Sequence, residues 1–449
     1  MSETFVVVGG DAAGMSAASK AKRDDPDREV IVFEKGQWVS YAACGMPYFL
    51  KGDIESLEDL VQVTPEQFIE ERDVDLRLHH EVVAIDTEAQ EVTVEYDGET
   101  FTQGYDDLLV ATGARAIEPP FEGMHLDGVF TLRDMNSAGE MDTFLDSESP
   151  ETVALVGGGY IGLELAEAFA HRGLEVHVFE MLPHVLQPFG SEVAPVVEEH
   201  LREQGVHLHL DTAVERFAGE ERVTSIEADG VTAAVDMVVV GVGVTPNAEL
   251  AADAGIEVGE TGAIAVDEFS ETSAPHVYAA GDCAEAENVV TGDPDHVPLA
   301  LTANRRGRAV GQTVTGTPTE GGAIAGSAVV KVFDLAVGRT GVVDEERARE
   351  AGFDPVSVTI QASSRAHYYP GAEELTIQLV GDRESGRLLG AAMVGKEGVA
   401  KRVDTVATAL HAEMTVDEVQ NLDLTYAPPF SPVWDPVLTA AKVLSGNLE

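Results

Sequence analysis

The chain has 449 residues, of which 44% are hydrophobic, enough apolar material for roughly three folded domains. Its 80 acidic residues outnumber the 28 basic ones, and the formal net charge of −52 repels phosphate backbones, which argues against a nucleic-acid partner. No apolar run reaches the ~18–20 residues of a membrane helix, and the apolar run at residues 5–8 leaves no room for a signal peptide, so we expect a cytoplasmic protein with no membrane partner.

Two segments of the chain follow the order strand, glycine turn, helix, and in each a second strand then ends in an acidic residue. Those residues are Glu34 and Glu180, about 20 residues after each turn, which is the spacing of dinucleotide-binding units. A pyrophosphate must approach the helix N–H groups with no side chain between, which explains the glycines. The turn glycines are Gly9, Gly10 and Gly14 in the first unit and Gly157, Gly158, Gly159 and Gly162 in the second.

The two turns differ at their middle position. Asp11 stands in the first turn where Gly159 stands in the second, and we expect its carboxylate to point away from a bound pyrophosphate. Glu180 would accept hydrogen bonds from ribose hydroxyls and repel a 2′-phosphate, so the second unit is predicted to prefer NADH over NADPH.

Further along the chain, alternating residues 91–96 and the Asp97-Gly98 pair predict a small hairpin. Apolar runs at residues 108–111 and 238–240 predict buried strands near the end of each nucleotide-binding unit. Beyond residue 321 the pattern changes to amphipathic strands and a helix, which predicts a third domain.

Residues 272–283 run from a strand into Gly281-Asp282, and together with residues 111–113 they resemble the pyridine nucleotide–disulfide oxidoreductase family. The resemblance covers the whole chain and implies an α/β fold: two Rossmann-like dinucleotide-binding domains, for FAD and NAD, and a C-terminal α+β dimerisation domain. The implied boundaries are 1–118 with 248–320 for FAD, 119–247 for NAD and 321–449 for dimerisation. The implied cofactor contacts are Gly9, Gly10, Ala13, Gly14, Glu34, Lys35, Val82, Thr112, Gly113, Gly281 and Asp282 for FAD, and Gly157, Gly159, Tyr160, Ile161, Gly162, Glu180 and Gly243 for NADH, with NADPH as the possible alternative.

The two cysteines, Cys44 and Cys283, are too few for a disulfide framework. Two-cysteine members of the family carry redox cysteines five residues apart, and here that position is Val39. The chain therefore resembles the single-cysteine branch of NADH oxidases, NADH peroxidases and coenzyme A-disulfide reductases, in which Cys44 would act alone through a sulfenic acid or a mixed disulfide. Ala12 replaces the histidine of the peroxidases and water-forming oxidases, which disfavours a peroxidase. Cys283 is interpreted as a buried structural residue.

Segments around Tyr368 and Tyr426 resemble the paired-tyrosine segments of coenzyme A-disulfide reductases, and Tyr369 fits less well. In those enzymes two tyrosines reach the active-site sulfur from the partner subunit. The resemblance implies a homodimer with shared active sites, in which Cys44, Tyr368 and Tyr426 are catalytic and a phenol protonates the leaving thiolate.

Basic residues stand out in this chain, whose acidic residues are spread throughout and favour adaptation to a salt-rich cytoplasm, where screening weakens self-repulsion. Lys20 and Arg23 share a helix face, and a second basic island lies at residues 305–308. Coenzyme A carries phosphates that need such cations. By resemblance, the substrate-binding residues are Ser16, Lys20, Arg23, Ser40, Arg72 and Asn304.

The sequence thus predicts an FAD-dependent, NADH-preferring reductase of a small-molecule disulfide, with coenzyme A disulfide as the first candidate and coenzyme A as the adduct on Cys44. One alternative is an NADH oxidase or a polysulfide/persulfide reductase using the same cysteine. A ferredoxin-type electron-transfer reductase would need neither Cys44 nor the tyrosines, and the intact second glycine turn disfavours a non-enzymatic FAD-binding protein.

The histidines at 79–80 and 207–209 show no metal-ligand spacing, so no metal is predicted.

Overall fold

A computed structural model describes residues 3–448. The helices are α1 Ala12–Asp24, α2 Met46–Lys51, α3 Met135–Glu148, α4 Tyr160–His171, α5 Ala194–Glu203, α6 Glu249–Asp253, α7 Ala300–Thr313, α8 Glu345–Glu350, α9 Val399–His411, α10 Val416–Gln420 and α11 Pro436–Leu448. The strands before residue 150 are β1 Thr4–Val8, β2 Glu29–Glu34, β3 Asp75–Leu78, β4 Glu81–Asp86, β5 Glu91–Tyr96, β6 Glu99–Gly104, β7 Asp107–Val110, β8 Ala114–Ala116 and β9 Val129–Thr131. Those that follow are β10 Thr152–Val156, β11 Glu175–Phe179, β12 His207–His209, β13 Val214–Gly219, β14 Val223–Ala228, β15 Val231–Ala234, β16 Met237–Val240, β17 Val244–Pro246, β18 Val277–Ala279, β19 Ala286–Glu287, β20 Pro294–Asp295, β21 Ala328–Val332, β22 Leu335–Gly341, β23 Pro355–Ser363, β24 Glu374–Asp382 and β25 Leu388–Gly395.

Two five-stranded parallel sheets share the order of four strands and differ in the chain position of the fifth, because β18 comes last in its sheet along the chain and β9 comes first in the other. The first has the order β18-β7-β1-β2-β3 and the second the order β12-β11-β10-β16-β9. In each, the strand that precedes the glycine turn lies at the centre: β1 between β2 and β7, and β10 between β11 and β16. The repeated pattern in the sequence is therefore one architecture built twice, as predicted.

The central strands are continuous apolar runs because both faces of a parallel sheet are covered. Every residue of β7 and β16 is buried. Each unit also carries a three-stranded antiparallel sheet, β4-β5-β6 in the first and β13-β14-β15 in the second. The predicted hairpin at residues 91–96 is the β5–β6 pair.

Backbone packs directly on backbone at both glycine turns. Gly9 has φ of +109°, and a Cβ there would lie 2.2 Å from the carbonyl oxygen of Ala111. Gly157 repeats this, with φ of +106° and Gly241 oxygen 2.5 Å away. Only glycine satisfies both the positive φ and this approach, so the turns bring each helix N-terminus to the carboxyl edge of its sheet.

The C-terminal part is a five-stranded antiparallel sheet of order β21-β22-β25-β24-β23. Helix α9 packs against β22 and β25, and α11 packs against β23 and β24. Their apolar side chains, among them Leu375, Ile377, Val403 and Leu444, form a separate core. This is the predicted α+β arrangement, while the domain boundaries at residues 118, 247 and 320 stay predictions.

Helices α1 and α7 lie in unusually close contact. A Cβ at Gly307 would lie 2.1 Å from the backbone oxygen of Ala13, and one at Gly311 would lie 2.5 Å from that of Ala17. A larger residue at either position would push the helices apart. The contact sets residues 304–308 beside residues 16–23.

None of the helices formed by residues 3–448 combines the length and the apolar character needed to span a bilayer.

Candidate functional site

A cleft of about 600 Å³ opens at the carboxyl edge of the first sheet. This volume is in the range of cofactor sites. The predicted FAD contacts that line it are Gly9, Gly10, Glu34, Lys35, Val82, Thr112 and Gly113. The other predicted contacts lie around the same turn; for example, a Cβ on Gly281 would be 3.1 Å from the Cβ of Ala13. The backbone cradle and the cleft together fit a dinucleotide.

The acidic residues at the carboxyl ends of β2 and β11, Glu34 and Glu180, hold the two turns in the same way. Glu34 accepts hydrogen bonds from the N–H groups of Gly10 (2.8 Å) and Gly36 (2.7 Å). Glu180 accepts from Gly158 (2.7 Å) and Leu182 (2.8 Å). These N–H groups fix each carboxylate where ribose hydroxyls would reach it.

The middle positions of the two turns differ as the sequence suggested. A Cβ at Gly159 would meet nothing within 4 Å, so the second turn is open to a pyrophosphate. Asp11 instead turns its carboxylate to the N–H of Tyr41, at 3.2 Å. Burial raises the pKa of Asp11 to about 6, the Tyr41 N–H lowers it, and the charges of Glu34 and Asp282 raise it.

Cys44 lies in a single 3₁₀ turn, Ala43–Gly45, directly before α2. The loop before it is tied to the first glycine turn, because the Ser40 N–H donates to Gly10 oxygen at 3.0 Å. Val39, at the position of the second cysteine in two-cysteine enzymes, is 1% exposed. Cys44 is exposed and free, whereas Cys283 is buried and directs its sulfur to backbone carbonyl oxygens.

Charges around Cys44 act in opposite directions on its thiol. Desolvation by neighbouring protein atoms raises its pKa, Glu164 and Asp282 raise it further, and Arg133 lowers it. The Arg133 guanidinium pairs with Asp282 at 2.9 Å and donates to Ala114 oxygen at 2.7 Å. Arg133 was missed by the sequence analysis, since a lone arginine before a helix carries no local signal.

Glu164 is a second group that the sequence analysis missed. It lies one turn after Tyr160 on α4, and Tyr48, from α2, donates its hydroxyl to Glu164 at 3.2 Å. Burial raises the pKa of Glu164 to about 7; the Tyr48 hydrogen bond lowers it and the charge of Glu167 raises it. A carboxyl group that titrates near neutral pH therefore lies within electrostatic range of the Cys44 thiol. Glu164 follows Tyr160 by four residues, so the sequence alone could have placed both side chains on the same face of the predicted helix.

A second cleft, of about 450 Å³, lies between α1 and α7 and is called the cationic cleft below. It is lined by all six predicted substrate residues, and also by Arg305 and Arg308 from the second basic island. Ser16 donates to Asn304 at 2.6 Å across the α1–α7 contact, and Arg72 donates to Ser19 at 2.8 Å. Residues far apart in the sequence thus converge on one site.

Most arginines of residues 3–448 pair with a carboxylate, as Arg216 does with Glu227. Within that part of the chain, four arginines of the cationic cleft form no such pair: Arg23, Arg72, Arg305 and Arg308. In a chain with a net charge of −52, these four guanidinium groups are available to pair with an anion.

The two predicted tyrosines converge in the C-terminal part of the chain. The hydroxyls of Tyr368 and Tyr426 lie 3.5 Å apart, and both side chains are exposed. Tyr369 instead lies beneath the guanidinium of Arg365, whose Cζ atom is 5.9 Å from the centre of the Tyr369 ring. Exposed Phe430 and Trp434 lie close in sequence to Tyr426.

Two dinucleotide-type units and one exposed cysteine in a loop held by the first turn define a nucleotide-dependent redox enzyme of the thiol–disulfide class. The chain belongs to the pyridine nucleotide-disulphide oxidoreductase family: residues 3–307 match that family and residues 327–436 match its dimerisation domain. The family is FAD- and NAD(P)H-dependent, so the chain is an oxidoreductase. The predicted family and fold class are confirmed.

Relatives over nearly the whole length carry related names. One is 42% identical over 443 residues, 98% of both chains: "NAD(P)H sulfur oxidoreductase (CoA-dependent)" of Pyrococcus abyssi. A "Coenzyme A disulfide reductase" of Staphylococcus haemolyticus is 31% identical over 95% of this chain and 96% of its own. The structure of an NAD-dependent persulfide reductase from A. fulgidus is 39% identical, with a TM-score of 0.96 over 99% of this chain and 83% of that one.

The charge of Glu164 should oppose formation of the Cys44 thiolate. In Glu164→Gln the hydrogen-bonding shape remains while the negative charge is lost, so the pKa of Cys44 should fall by roughly one pH unit. The measurement is the pH dependence of Cys44 alkylation by iodoacetamide in the FAD-bound, thiol-reduced protein. Cys283 is buried and does not contribute.

Glu140→Gln, at an exposed position of α3, is the matched control and should leave the alkylation profile unchanged. Superimposable profiles for Glu164→Gln and the wild type would contradict the electrostatic coupling of Glu164 to Cys44.

Proposed function

We propose that the protein is an FAD-dependent, NADH-preferring reductase of coenzyme A disulfide that works through a mixed disulfide on Cys44. The observation that carries the proposal is the cationic cleft, which shares Ser40 with the loop of Cys44. The four residue-to-residue steps from Ser40 to Cys44 span at most about 14 Å, which a flexible pantetheine arm can cover. Phosphates held in the cleft would therefore place the substrate sulfur at the thiol.

The cleft supplies the contacts that the anionic end of coenzyme A requires. Lys20, Arg23 and Arg308 offer charged donors, and the Asn304 amide offers a neutral one. Hydrogen bonds to charged groups are the strong ones, and none of the four arginines of the cleft is engaged by a carboxylate of residues 3–448. A ferredoxin-type electron-transfer role would leave this cleft, Cys44 and the paired tyrosines without a purpose.

The chemistry at Cys44 balances in two steps. The Cys44 thiolate attacks one sulfur of coenzyme A disulfide, which forms the mixed disulfide and releases one coenzyme A thiolate. Two electrons then cleave the mixed disulfide into the Cys44 thiolate and a second coenzyme A thiolate. FAD, when bound, would carry these electrons from NADH. A phenol hydroxyl of Tyr368 or Tyr426 would protonate the departing thiolate.

A persulfide of coenzyme A is the second candidate substrate. The supporting observation is the 42% identity to a protein named as a coenzyme A-dependent sulfur oxidoreductase. The phosphates would occupy the same cleft, and the Cys44 thiolate would attack the inner sulfur, which forms the same mixed disulfide and releases hydrosulfide. Two electrons from NADH would then cleave that mixed disulfide as before. The two candidates differ in the group that leaves and not in the group that is recognised.

Removing cations from the cationic cleft should weaken substrate binding selectively. Arg23→Gln and Arg308→Gln should each raise the KM for coenzyme A disulfide roughly tenfold with kcat nearly unchanged. The phosphate-free disulfide of pantetheine should show no such change. Steady-state NADH oxidation with both disulfides measures this, and a parallel assay with coenzyme A persulfide ranks the two candidates.

Arg202→Gln, at an exposed position on α5, is the matched control. Cys44→Ser should abolish reduction of either disulfide while retaining bound FAD and NADH-driven ferricyanide reduction. The proposed function would be wrong if Cys44→Ser kept full disulfide reductase activity. Recognition by the cleft would be wrong if both disulfides responded equally to the arginine variants.

Glu180 should make the enzyme prefer NADH. Its carboxylate is fixed by two N–H groups beside the second turn, where it can accept from ribose hydroxyls and repels a 2′-phosphate. We expect kcat/KM for NADPH to be roughly tenfold or more below that for NADH, and the gap to narrow in Glu180→Ala. Glu203→Ala, at an exposed position, serves as control, and an equal or higher kcat/KM with NADPH in the wild type would contradict the assignment.

We further propose a homodimer in which the tyrosines of one chain complete the site of the other. The dimerisation-domain match at residues 327–436 includes both Tyr368 and Tyr426. Their side chains are 66% and 47% exposed, so a second copy can cover them. Two-fold symmetry would create two identical shared sites.

Mixing two inactive variants tests the shared site. Cys44→Ser and Tyr368→Phe/Tyr426→Phe chains, re-associated at equal amounts, should recover about a quarter of wild-type activity, because half of the dimers are mixed and each has one intact site. Subunit exchange is verified by native mass spectrometry. Zero recovery despite exchange would show that the tyrosines act on the Cys44 of their own chain.

A further inference from the structure

Four polar side chains meet at the edge of the second parallel sheet, outside the two clefts described above. They are Glu175 and His177 of β11 and His207 and His209 of β12. The parallel register pairs His177 with His207, and β12 is the outermost strand of the sheet. Spacing along the sequence could not reveal a cluster that forms across two strands, which is why the sequence analysis predicted no metal.

Three atoms of this cluster have the spacing of metal ligands. Glu175 Oε1 lies 3.3 Å from His177 Nε2 and 3.2 Å from His207 Nε2. All three ligand atoms lie within 4.8 Å of one another. Ligands at 2.0–2.1 Å from a tetrahedral ion are about 3.3 Å apart, so a small side-chain adjustment would let one ion bind all three.

The fourth member of the cluster orients one of the ligands. The Nδ1 atom of His177 lies 3.1 Å from His209 Nε2, and the His209 ring stacks on Phe179 at 4.3 Å. When Nδ1–H of His177 donates to His209, the lone pair of His177 Nε2 faces Glu175. Metal-bound histidines commonly donate their second N–H in this way.

The surroundings favour binding of a cation. Glu175 and His207 have side chains 55% and 53% exposed, which leaves room for water ligands. The net charge of −52 concentrates cations at the surface.

We propose that Glu175, His177 and His207 form a binding site for a divalent transition-metal ion of the zinc type, completed by water, with His209 as a positioning residue. Two imidazoles and one carboxylate suit zinc and disfavour calcium or magnesium, which prefer oxygen ligands only. The site would join the outer strands β11 and β12 and so stabilise the edge of the sheet that carries Glu180.

Calorimetric titration with zinc chloride tests the site in the FAD-bound protein, prepared without an affinity tag and with Cys44 alkylated so that its thiol cannot bind zinc. We expect one zinc ion per chain and a rise in Tm on binding. His177→Ala and His207→Ala should each weaken binding roughly tenfold or more. His209→Ala should weaken it about tenfold, and His209→Gln, whose amide oxygen also accepts a hydrogen bond, should restore it.

His125→Ala, at an exposed histidine outside the cluster, is the matched control and should bind zinc like the wild type. FAD absorbance and Tm without zinc verify that each variant folds. Equal zinc affinity in the wild type and in His177→Ala/His207→Ala would show that zinc associates diffusely with acidic side chains, and it would overturn the proposal. A titration of the wild type that shows no binding of one zinc ion per chain would also overturn it. Neither outcome bears on the chemistry of Cys44, since the cluster shares no residue with that site.

Discussion

The contact between helices α1 and α7 is the constraint on which the cationic cleft depends. Because Gly307 and Gly311 have no side chains, the two backbones approach to distances that a Cβ would forbid. Gathering so many positive side chains costs repulsion, which is reduced only in part, for example by the Lys20–Asp24 pair at 2.7 Å. The backbone contact is thus what holds the cations together, and a bound anion would relieve the remaining repulsion.

The first glycine turn also holds the loop that leads to Cys44. Tyr41 donates its N–H to Asp11, and Ser40 donates its N–H to Gly10, so the loop that leads to Cys44 is fixed at two points. Asp11, which departs from the glycine pattern of the turn, therefore helps to fix the Cys44 loop. Among the charges around Cys44, Glu164 and Asp282 raise the pKa of the thiol and Arg133 lowers it.

The sequence alone allowed the prediction of features that lie within one continuous segment or that repeat along the chain. The two turns, Glu34 and Glu180 follow from spacing alone, because each unit is continuous in the chain. The family resemblance placed six residues that the structure brings to one cleft, although their role remains a proposal. Arg133, the Tyr48–Glu164 pair and the histidine cluster could not be predicted in this way. Each depends on contacts between segments, such as the register that sets His177 against His207.

The acidic surface repels an anionic ligand, whereas the cationic cleft attracts it. The ionic strength sets which of these two electrostatic effects is larger. Electrostatic screening acts over about 8 Å at 0.15 M salt and about 3 Å at 1 M. Exposed carboxylates many ångströms away repel coenzyme A at low salt but lose that influence at molar salt. Arginine side chains in direct contact with a phosphate are screened far less, because the ligand excludes the intervening water and ions. A net charge of −52 is therefore compatible with anion binding where the cations form a preassembled site, as they do between α1 and α7.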